Sequence, residues 1–324
     1  MPYCFLLNPA AANGRAKRLR GRLEATAQAA GMAYVVRETQ AAGHATELAQ
    51  KAAAEGYHVV AVGGDGTVQE AAAGVLGTEA ALGVVPAGTG NDYARSLGLP
   101  TKLDAAARLL PFLSPRATDI GRVSWTNADG SEHASLFTNA LGTGFDAYAA
   151  SLAEHYKRLP GQAAYLAAIF KGLRTWSNPP VRIGISKSVL SEVAPAIPAG
   201  HEAEPSPAST SWFEGPFFLL SLGVGFSVGG GFRLTPEAQP DDGLLDACLL
   251  RGITAGRAIQ LLPRAMRGAH VGADEVTLTR LTSMTLDADT PLPVHADGEL
   301  LSTSAVRLTA TIEPDALRVL RPDA

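Results

Sequence analysis

The stretch VVAVGGDGTVQEAA, residues Val59 to Ala72, decides the fold of the N-terminal part of this chain. Four apolar, mostly β-branched residues indicate a buried strand, which runs through Gly63, Gly64 and Gly66 into a helix-forming sequence. Glycine allows φ > 0 and leaves the backbone N–H groups uncovered, so a phosphate can approach the start of the helix closely. The junction therefore predicts a phosphate-binding turn at the end of a strand.

The carboxylate in this turn, Asp65, distinguishes it from two familiar glycine-rich loops. A Walker loop needs a Gly-Lys-Ser/Thr sequence, and a G-x-G-x-x-G fingerprint has no aspartate between its glycines. Asp65 would repel a bare phosphate, so it indicates an intervening cation such as Mg²⁺. A tight turn with a solvated aspartate is the structural alternative. Thr67 and Glu70 also fit a helix capping box, which predicts a structural role for Glu70.

A second junction of the same kind is VVPAGTGNDYARSLGLP, Val84 to Pro100, where a strand again ends in a glycine turn that opens a helix. Thr89 and Asp92 form a weaker version of the capping box. Both junctions follow parallel strands, so both turns should reach the same edge of the sheet. Asp65 and Asp92 would then face one cleft.

The distribution of apolar runs predicts two different architectures. To about residue 115, strands alternate with Ala-rich helical stretches, which is typical of a parallel sheet with helices on both faces. Beyond it, strands and turns dominate, which favours an antiparallel sandwich or barrel with helical insertions around Ala147–Trp176 and Ala255–Gly268. The Pro-, Ala- and Ser-rich stretch Ser186–Ser211 predicts a long loop. The first four strands are predicted at residues 3–8, 33–37, 58–62 and 81–85.

The composition limits the class of protein. The chain has 324 residues, 46% hydrophobic and 18% charged, which is ample for two packed domains. A net charge of −4 gives no bulk attraction to nucleic acid. The N-terminal apolar run is too short for a signal peptide, and no window approaches the ~20 apolar residues of a spanning helix, so we expect a cytoplasmic protein. Cys4 and Cys248 lie in apolar runs and are expected to be buried free thiols.

With GGDGT and PAGTGNDYAR identified, the sequence resembles the diacylglycerol kinase catalytic-domain superfamily, and most closely its soluble bacterial lipid kinases, which are diacylglycerol kinase- and sphingosine kinase-like. The resemblance runs nearly end to end. Four further motifs carry it: NPAAANG (Asn8–Gly14), TNALGTGFDA (Thr138–Ala147), GGGFRLTPEAQPDDGLLDACLL (Gly229–Leu250) and HADGE (His295–Glu299).

The resemblance implies a Rossmann-like parallel α/β nucleotide-binding domain followed by an antiparallel β-sandwich domain that binds lipid. The active-site cleft would lie between them. Residues 1–117, with a C-terminal return at 314–324, would form the first domain, and residues 118–313 the second.

The resemblance also implies the roles of site residues. Asp65 and Asp92 match carboxylates that organise the catalytic Mg²⁺, and Glu299 matches the proton acceptor for the lipid hydroxyl, although ADGE read alone is a hairpin turn. The family usually has Asn where Gln69 stands. The implied ATP contacts are Asn8, Pro9, Ala10, Ala11, Ala12, Thr39, Gly64, Asp65, Gly66, Thr67, Val68, Gln69 and Thr89.

A second, structural Mg²⁺ is implied for QPDDGLL. Asp242 would contribute a side-chain oxygen, while Gln239 and Leu244 would contribute main-chain carbonyls.

The activity implied by the resemblance is ATP-dependent phosphorylation of a lipid hydroxyl, as in diacylglycerol. Two alternatives are a kinase of a soluble acceptor, similar to NAD kinases, and a nucleotide- or lipid-binding regulator without turnover. The expected partners are ATP and a lipid substrate at the inner face of the membrane, with no nucleic acid; the oligomeric state is open, a homodimer included. Two stretches with basic and apolar residues, Leu159–Trp176 and Thr254–His270, are candidates for membrane contact or else ordinary packed helices.

Overall fold

The computed structural model of the chain describes residues 1–153, 156, 162–189 and 210–322, and it leaves the side chains of 12–18, 162–165, 187–189 and 210 undescribed. The first third alternates strands with helices. Its elements are β1 (Tyr3–Leu7), α1 (Ala11–Ala29), β2 (Tyr34–Glu38), α2 (His44–Ala54), β3 (His58–Gly63), α3 (Asp65–Val75), β4 (Leu82–Pro86), α4 (Asp92–Ser96), α5 (Leu103–Leu109) and a 3₁₀ turn (Leu110–Phe112).

The remainder is rich in strands, with three helices among them in the described part. Its elements are β5 (Ser114–Asn127), β6 (Glu132–Phe137), β7 (Ala140–Gly144), α6 (Phe145–Ala153), α7 (Gln162–Gly172), β8 (Pro180–Val189), β9 (Thr210–Gly223), β10 (Leu245–Arg251), α8 (Ala255–Ala265), β11 (Val276–Ala296) and β12 (Glu299–Arg321).

The first four strands form a parallel sheet in the order β2-β1-β3-β4. Residues 59–62 of β3 are fully buried because the strand is apolar on both faces and lies in the middle of this sheet. Helix α1 packs with α5, while α2 packs with α3, and right-handed crossovers place the two pairs on opposite faces. Gly63 lies opposite Pro86, so β3 and β4 end level with each other.

Strand β12 runs through both halves of the molecule. Most of it pairs antiparallel with β11 and β5, but Val319 pairs parallel with Leu82 of β4. Leu317, Val319 and Leu320 belong to the hydrophobic core of the parallel sheet. The end of the chain is therefore physically part of the N-terminal half, and the hydrogen-bonded sheet continues from one half into the other.

Strands β5 to β12 otherwise pair antiparallel around a second core that includes Phe137, Leu220 and Met284. A third core lies between this sheet and α6, α7 and α8. The predicted fold class, a parallel α/β domain followed by an antiparallel sandwich-like domain, is confirmed, as are the two helical insertions.

Two smaller predictions have different outcomes. Cys4 and Cys248 are free and buried, as predicted. The predicted loop Ser186–Ser211 is too long at both ends, because β8 continues to Val189 and β9 begins at Thr210, where both strands pair in the sheet. Residues 190–209 lie outside the described part.

Candidate active site

The two glycine turns meet at the same edge of the sheet, as the sequence predicted. A Cβ atom on Gly88 would lie 2.5 Å from Cα of Gly64, so the backbones approach too closely for any side chain at residue 88. The amide of Ala87 also donates to the carbonyl of Gly63 at 2.8 Å. Together the turns present backbone groups and the start of α3 to one side of the molecule, which is an arrangement that suits phosphate.

Two asparagines hold these turns in shape. Asn91, with φ of 54°, accepts from the amide of Gly88 at 2.9 Å and donates to its carbonyl at 3.1 Å. Asn8, after β1, donates to the hydroxyl of Thr67 at 2.9 Å and accepts from the amide of Ala10 at 2.9 Å. Asn8 therefore joins the turn after β1 to the GGDGT turn. The role of Asn91 was missed, although its position between Gly90 and Asp92 is a turn signal.

The other candidate nucleotide contacts differ in what their side chains can reach. Thr39 follows β2 at the same sheet edge and is buried, whereas Thr89 is exposed at the tip of the second turn. Val68 points into the core, so only its backbone can face a ligand. Pro9, Ala10 and Ala11 form the turn into α1, and the side chain of Ala12 lies outside the described part.

The side chains of Gln69 and Glu70 form hydrogen bonds with other helices and strands than the sequence suggested. The side-chain Nε2 of Gln69 donates to the carbonyl of Leu136, which belongs to β6 of the C-terminal half. Helix α3 has no side-chain cap, so the predicted Thr67–Glu70 capping box is wrong. Glu70 instead accepts from the amides of Gly43 and Ala45, and so caps α2. The weaker Thr89–Asp92 box does not form either, because the residue at the cap of α4 is Asn91.

Asp65 and Asp92 converge on Gly90. A Cβ on Gly90 would lie 2.9 Å from Oδ2 of Asp65 and 3.1 Å from Oδ2 of Asp92. Burial raises the pKa of Asp65 to about 7, and the negative charge of Asp92 adds to the shift. Oδ1 of Asp65 accepts from the amide of Tyr93 at 3.1 Å, which fixes its orientation across the two turns.

This pair of carboxylates fits Mg²⁺ by its donor chemistry. Mg²⁺ prefers oxygen ligands and is usually held by one or two carboxylates together with substrate phosphates rather than by an all-protein cage. Within the described ranges, no group of three or more His, Cys, Asp or Glu side chains is arranged to hold a metal ion. Asp65 and Asp92, on two turns that suit phosphate, are therefore the residues that would hold the ion with its nucleotide.

The loop predicted to bind a second metal is held by another carboxylate. Asp119, almost fully buried, accepts from the amide of Gly243 at 2.7 Å and from that of Asp315 at 2.9 Å. Asp242 is exposed and accepts from the amide of Leu244 at 3.0 Å, and Gln239 is exposed as well. Metal binding by this loop stays a prediction, whereas its attachment to β5 through Asp119 is a structural fact.

Glu299 lies against the GGDGT turn although 233 residues separate it from Gly66 in the sequence. A Cβ on Gly66 would lie 2.8 Å from Oε1 of Glu299. Glu299 is the exposed first residue of β12 and follows a turn in which Asp297 and Gly298 have φ of 50° and 87°. Positive φ at both residues is the geometry of a type I′ hairpin, so the ADGE reading as a hairpin turn is also confirmed.

Asp297 is a residue of the site whose importance the sequence did not reveal. Its carboxylate is buried and accepts four hydrogen bonds, from the amide and hydroxyl of Thr138 at 2.7 and 2.9 Å and from the amides of Asn139 and Ala140, each at 2.9 Å. These bonds fasten the Glu299 turn to the connection between β6 and β7. An aspartate before glycine in a hairpin was the available signal, but it pointed only to the turn.

A second buried pair supports the same hairpin. Nε2 of His295, on β11, lies 3.2 Å from Oδ2 of Asp146 at the start of α6. A Cβ on Gly142 would lie 2.1 Å from the Asp146 oxygen and 2.3 Å from Nε2, so only glycine leaves room for the pair. The pair therefore connects α6 to the strand that leads into Glu299.

The segment 224–232, which we call the glycine-rich loop, connects the two halves of the site. Asp92 accepts from the hydroxyl of Ser227 at 2.6 Å and from the amide of Gly230 at 2.7 Å. The side-chain amide of Asn139 donates to the carbonyl of Ser227. Gly229, Gly230 and Gly231 all have positive φ, so this path of the backbone depends on glycine.

The other side of the glycine-rich loop lines an apolar cavity of about 80 Å³. The wall of the cavity that the loop forms consists of Val228, Gly229 and Phe232. The opposite walls come from α6, α7, α8 and the sheet, and they include Phe145, Ile169, Leu173, Phe218 and Leu261. A largely apolar cavity thus shares the glycine-rich loop with the carboxylate of Asp92.

Comparison with known proteins gives two family matches. Residues 2–123 match the family described as the diacylglycerol kinase catalytic domain. Residues 139–321 match the family described as the YegS C-terminal NAD kinase beta sandwich-like domain. No helix among the described residues is both long and apolar enough to cross a membrane.

Individual relatives agree with these matches. A protein of Mycobacterium tuberculosis named diacylglycerol kinase is 32% identical over 281 residues, which cover 86% of this chain and 81% of that relative. A protein of Pseudomonas savastanoi named "Probable lipid kinase YegS-like" is 34% identical over 292 residues, which cover 89% and 83%. A solved structure described as a diacylglycerol kinase from Bacillus anthracis superposes with a TM-score of 0.66 over 99% of this chain and 97% of that one, at 19% identity, and this likeness concerns the fold.

Proposed function

Because this chain belongs to the diacylglycerol kinase family with a YegS-type C-terminal domain, we propose that it transfers the γ-phosphoryl group of Mg·ATP to the hydroxyl of a membrane lipid such as diacylglycerol. Family membership makes the chain a kinase. The observation that carries the choice of a lipid acceptor is the glycine-rich loop. One side of this loop donates to Asp92 beside the phosphate-suited turns, and its other side lines an apolar cavity.

The two glycine turns would bind the triphosphate through backbone amides. Their mutual contact at Gly64 and Gly88, and the bonds made by Asn8 and Asn91, hold these amides in place before the nucleotide arrives. Phosphoryl transfer depends mostly on positioning and on charge neutralisation, so a rigid cradle is the contribution that the protein has to make.

Asp65 and Asp92 would hold the magnesium ion next to the phosphates. Mg²⁺ would supply charge neutralisation at the β- and γ-phosphate oxygens when it is bound. Burial raises the pKa of Asp65, and the nearby negative charge of Asp92 adds to the shift. A divalent cation between the two carboxylates would offset this repulsion.

Glu299 would accept the proton of the attacking hydroxyl. The hydroxyl oxygen forms a bond to the γ-phosphorus, the bond to the β,γ-bridging oxygen breaks, ADP leaves, and the proton passes to the carboxylate. Oε1 of Glu299 lies against Gly66 of the GGDGT turn. The proposed base is therefore next to the turn that would bind the phosphates. Asp297 and the His295–Asp146 pair would keep this base in position.

The experiment is phosphate transfer from [γ-³²P]ATP to mixed micelles containing diacylglycerol, with NAD as the soluble acceptor in a parallel reaction. We expect label in the lipid fraction. Glu299→Gln should lower kcat by about a hundredfold or more, because general base catalysis contributes on that order. Glu313→Gln, a surface carboxylate on the same strand that pairs with Arg122, is the matched control and should retain activity.

Two outcomes would contradict the proposal. Label on NAD and none on lipid would mean a soluble acceptor. Binding of Mg·ATP without transfer to any lipid extracted from membranes would mean a nucleotide-binding regulator. The same reaction with lipids extracted from membranes would identify the natural acceptor.

A further inference from the structure

The outer side of α8 is apolar although no residue in the described part of the chain covers it, and on the premise of the proposed function we infer that this side contacts an anionic lipid bilayer. We call the surface formed by Ile259, Leu262 and Met266 the α8 flank. Through it, the kinase would rest on the membrane directly over its apolar cavity.

The apolar arc of α8 is wider than the part of the helix that the core buries. At 100° per residue, Ala258, Leu261 and Ala265 form the buried side that faces the third core. Leu262 follows on the same circumference and is half-buried, and next to it come Met266 and Ile259, each 45% exposed. A helix that only packs on the core needs no apolar residues at these last positions.

The charges on α8 and just after it have one sign, although at 100° per residue Arg264 lies on the other side of the helix from the flank. Residues 254–273 contain no Asp or Glu, and Arg264 and Arg267 are exposed near the end of the helix. Arg257 is different, because its guanidinium makes an ion pair with Glu275 at 2.8 Å. A helix with exposed apolar side chains and only basic charges is the combination that binds at the interface of an anionic membrane.

The α8 flank is continuous with the apolar cavity. Leu261 and Leu262 both line the cavity, so the helix has the cavity on one side and the flank on the next. The other cavity helix repeats this pattern: Ile169 of α7 faces the cavity, while Phe170 is 48% exposed and Lys171 follows it. A lipid chain leaving the bilayer at this surface would meet the cavity without crossing water.

A second copy of the chain is a poorer occupant of the same surface. In a twofold interface the same surface of each copy meets, so two segments that carry only basic charges would be brought together with no acid from residues 254–273 to offset them. An anionic bilayer supplies the missing negative charge.

The test is co-sedimentation of the full chain with vesicles in the absence of ATP, so that it does not depend on turnover. Vesicles of phosphatidylcholine with about 30% phosphatidylglycerol should bind the chain, and pure phosphatidylcholine should bind it much less. The double variant Ile259→Ser, Met266→Ser should bind the anionic vesicles about tenfold more weakly, since it removes two apolar side chains from the interface. Arg264→Glu with Arg267→Glu should lose a similar or larger factor on anionic vesicles only.

Matched controls separate this surface from general effects of exposure and charge. Phe112→Ser removes a more exposed apolar side chain, at 79%, and Arg108→Glu reverses an exposed charge, both in the N-terminal half; neither should change vesicle binding. The melting temperature and the affinity for Mg·ATP should stay unchanged in every variant, which shows that the variants fold.

A direct probe reports insertion. Ile259→Cys labelled with an environment-sensitive fluorophore should shift to the blue on anionic vesicles, because Cys4 and Cys248 are buried and leave residue 259 as the labelled site. Unchanged vesicle binding by the Ile259 and Met266 double variant, or no spectral shift, would overturn the inference. Light scattering that shows a dimer formed through the α8 flank would also overturn the inference. Kinase activity measured on the same samples keeps this result distinct from a failure of the proposed function.

Discussion

The buried carboxylate of Asp297 should control catalysis without touching the substrate. The change that tests this is Asp297→Asn, which keeps the size of the side chain but replaces one acceptor oxygen by an NH₂ group. Of the four bonds to Asp297, two reach Oδ2 from Thr138 and two reach Oδ1 from the amides of Asn139 and Ala140. An asparagine can keep the pair at one oxygen only.

The expected loss of stability follows from these bonds. If the asparagine carbonyl keeps the amides of Asn139 and Ala140, its NH₂ group faces the amide of Thr138, and that buried N–H loses its acceptor. A buried donor without a partner costs about 1–3 kcal/mol. The hydroxyl of Thr138 can rotate to accept from the new NH₂ group, so the amide accounts for most of the cost.

The expected loss of activity follows from the position of the turn. Glu299 is two residues beyond Asp297, and a shift of about 1 Å in a catalytic group can cost a hundredfold in rate. We therefore expect kcat to fall by about tenfold to a hundredfold. The KM for ATP should change little, because the four donors lie at the β6–β7 connection and not in the glycine turns.

The assay is kcat and KM in the micelle reaction together with urea unfolding of the same samples. Thr138→Val is the matched control: it removes one hydroxyl bond of 2.9 Å to the same carboxylate, which should cost about 1.5–3 kcal/mol and leave kcat nearly unchanged. If the Asp297→Asn chain is folded under the assay conditions and has a normal kcat, the proposed positioning role of Asp297 is refuted. An equal fall of kcat in both variants at equal loss of stability would also refute it, because the effect would then be general destabilisation.

Three further outcomes are expected. Gly88→Ala should weaken Mg·ATP binding in calorimetry and lower stability by about 1–3 kcal/mol, because its Cβ would lie 2.5 Å from the backbone of the other glycine turn. Gly21→Ala is the control and should do neither, because no atom lies within 4 Å of the new Cβ. Equal behaviour of the two variants would contradict the close approach of the turns. Ser227→Ala removes the 2.6 Å bond to buried Asp92 and should cost about 1.5–3 kcal/mol in urea unfolding, so an unchanged midpoint would show that this bond contributes nothing. The thiol of Cys248, whose pKa burial raises to about 12, should not react with iodoacetamide at pH 8 in the folded chain; rapid labelling would contradict its burial.

Local sequence patterns were sufficient for the framework of this protein. The strands at β1, β2, β3 and β4 were predicted to within a residue at either end, because a run of β-branched residues closed by glycine specifies a buried strand and its turn without reference to the rest of the chain. The two glycine turns could be placed at one sheet edge for the same kind of reason, since consecutive parallel strands end on the same side. The family and the fold class followed from motifs in fixed order, and both are confirmed.

The contacts that assemble the site were decided by the tertiary structure. Asp297 meets Thr138 across 159 residues and Asp92 meets Ser227 across 135, and Glu70 caps α2 rather than its own helix. A carboxylate binds whichever donors the packing of the two halves brings to it, and no periodicity within a segment encodes a partner so far away in the chain. The sequence by itself therefore determined the elements, the turns and the family, whereas the partners of each acidic residue depended on how the two halves pack together.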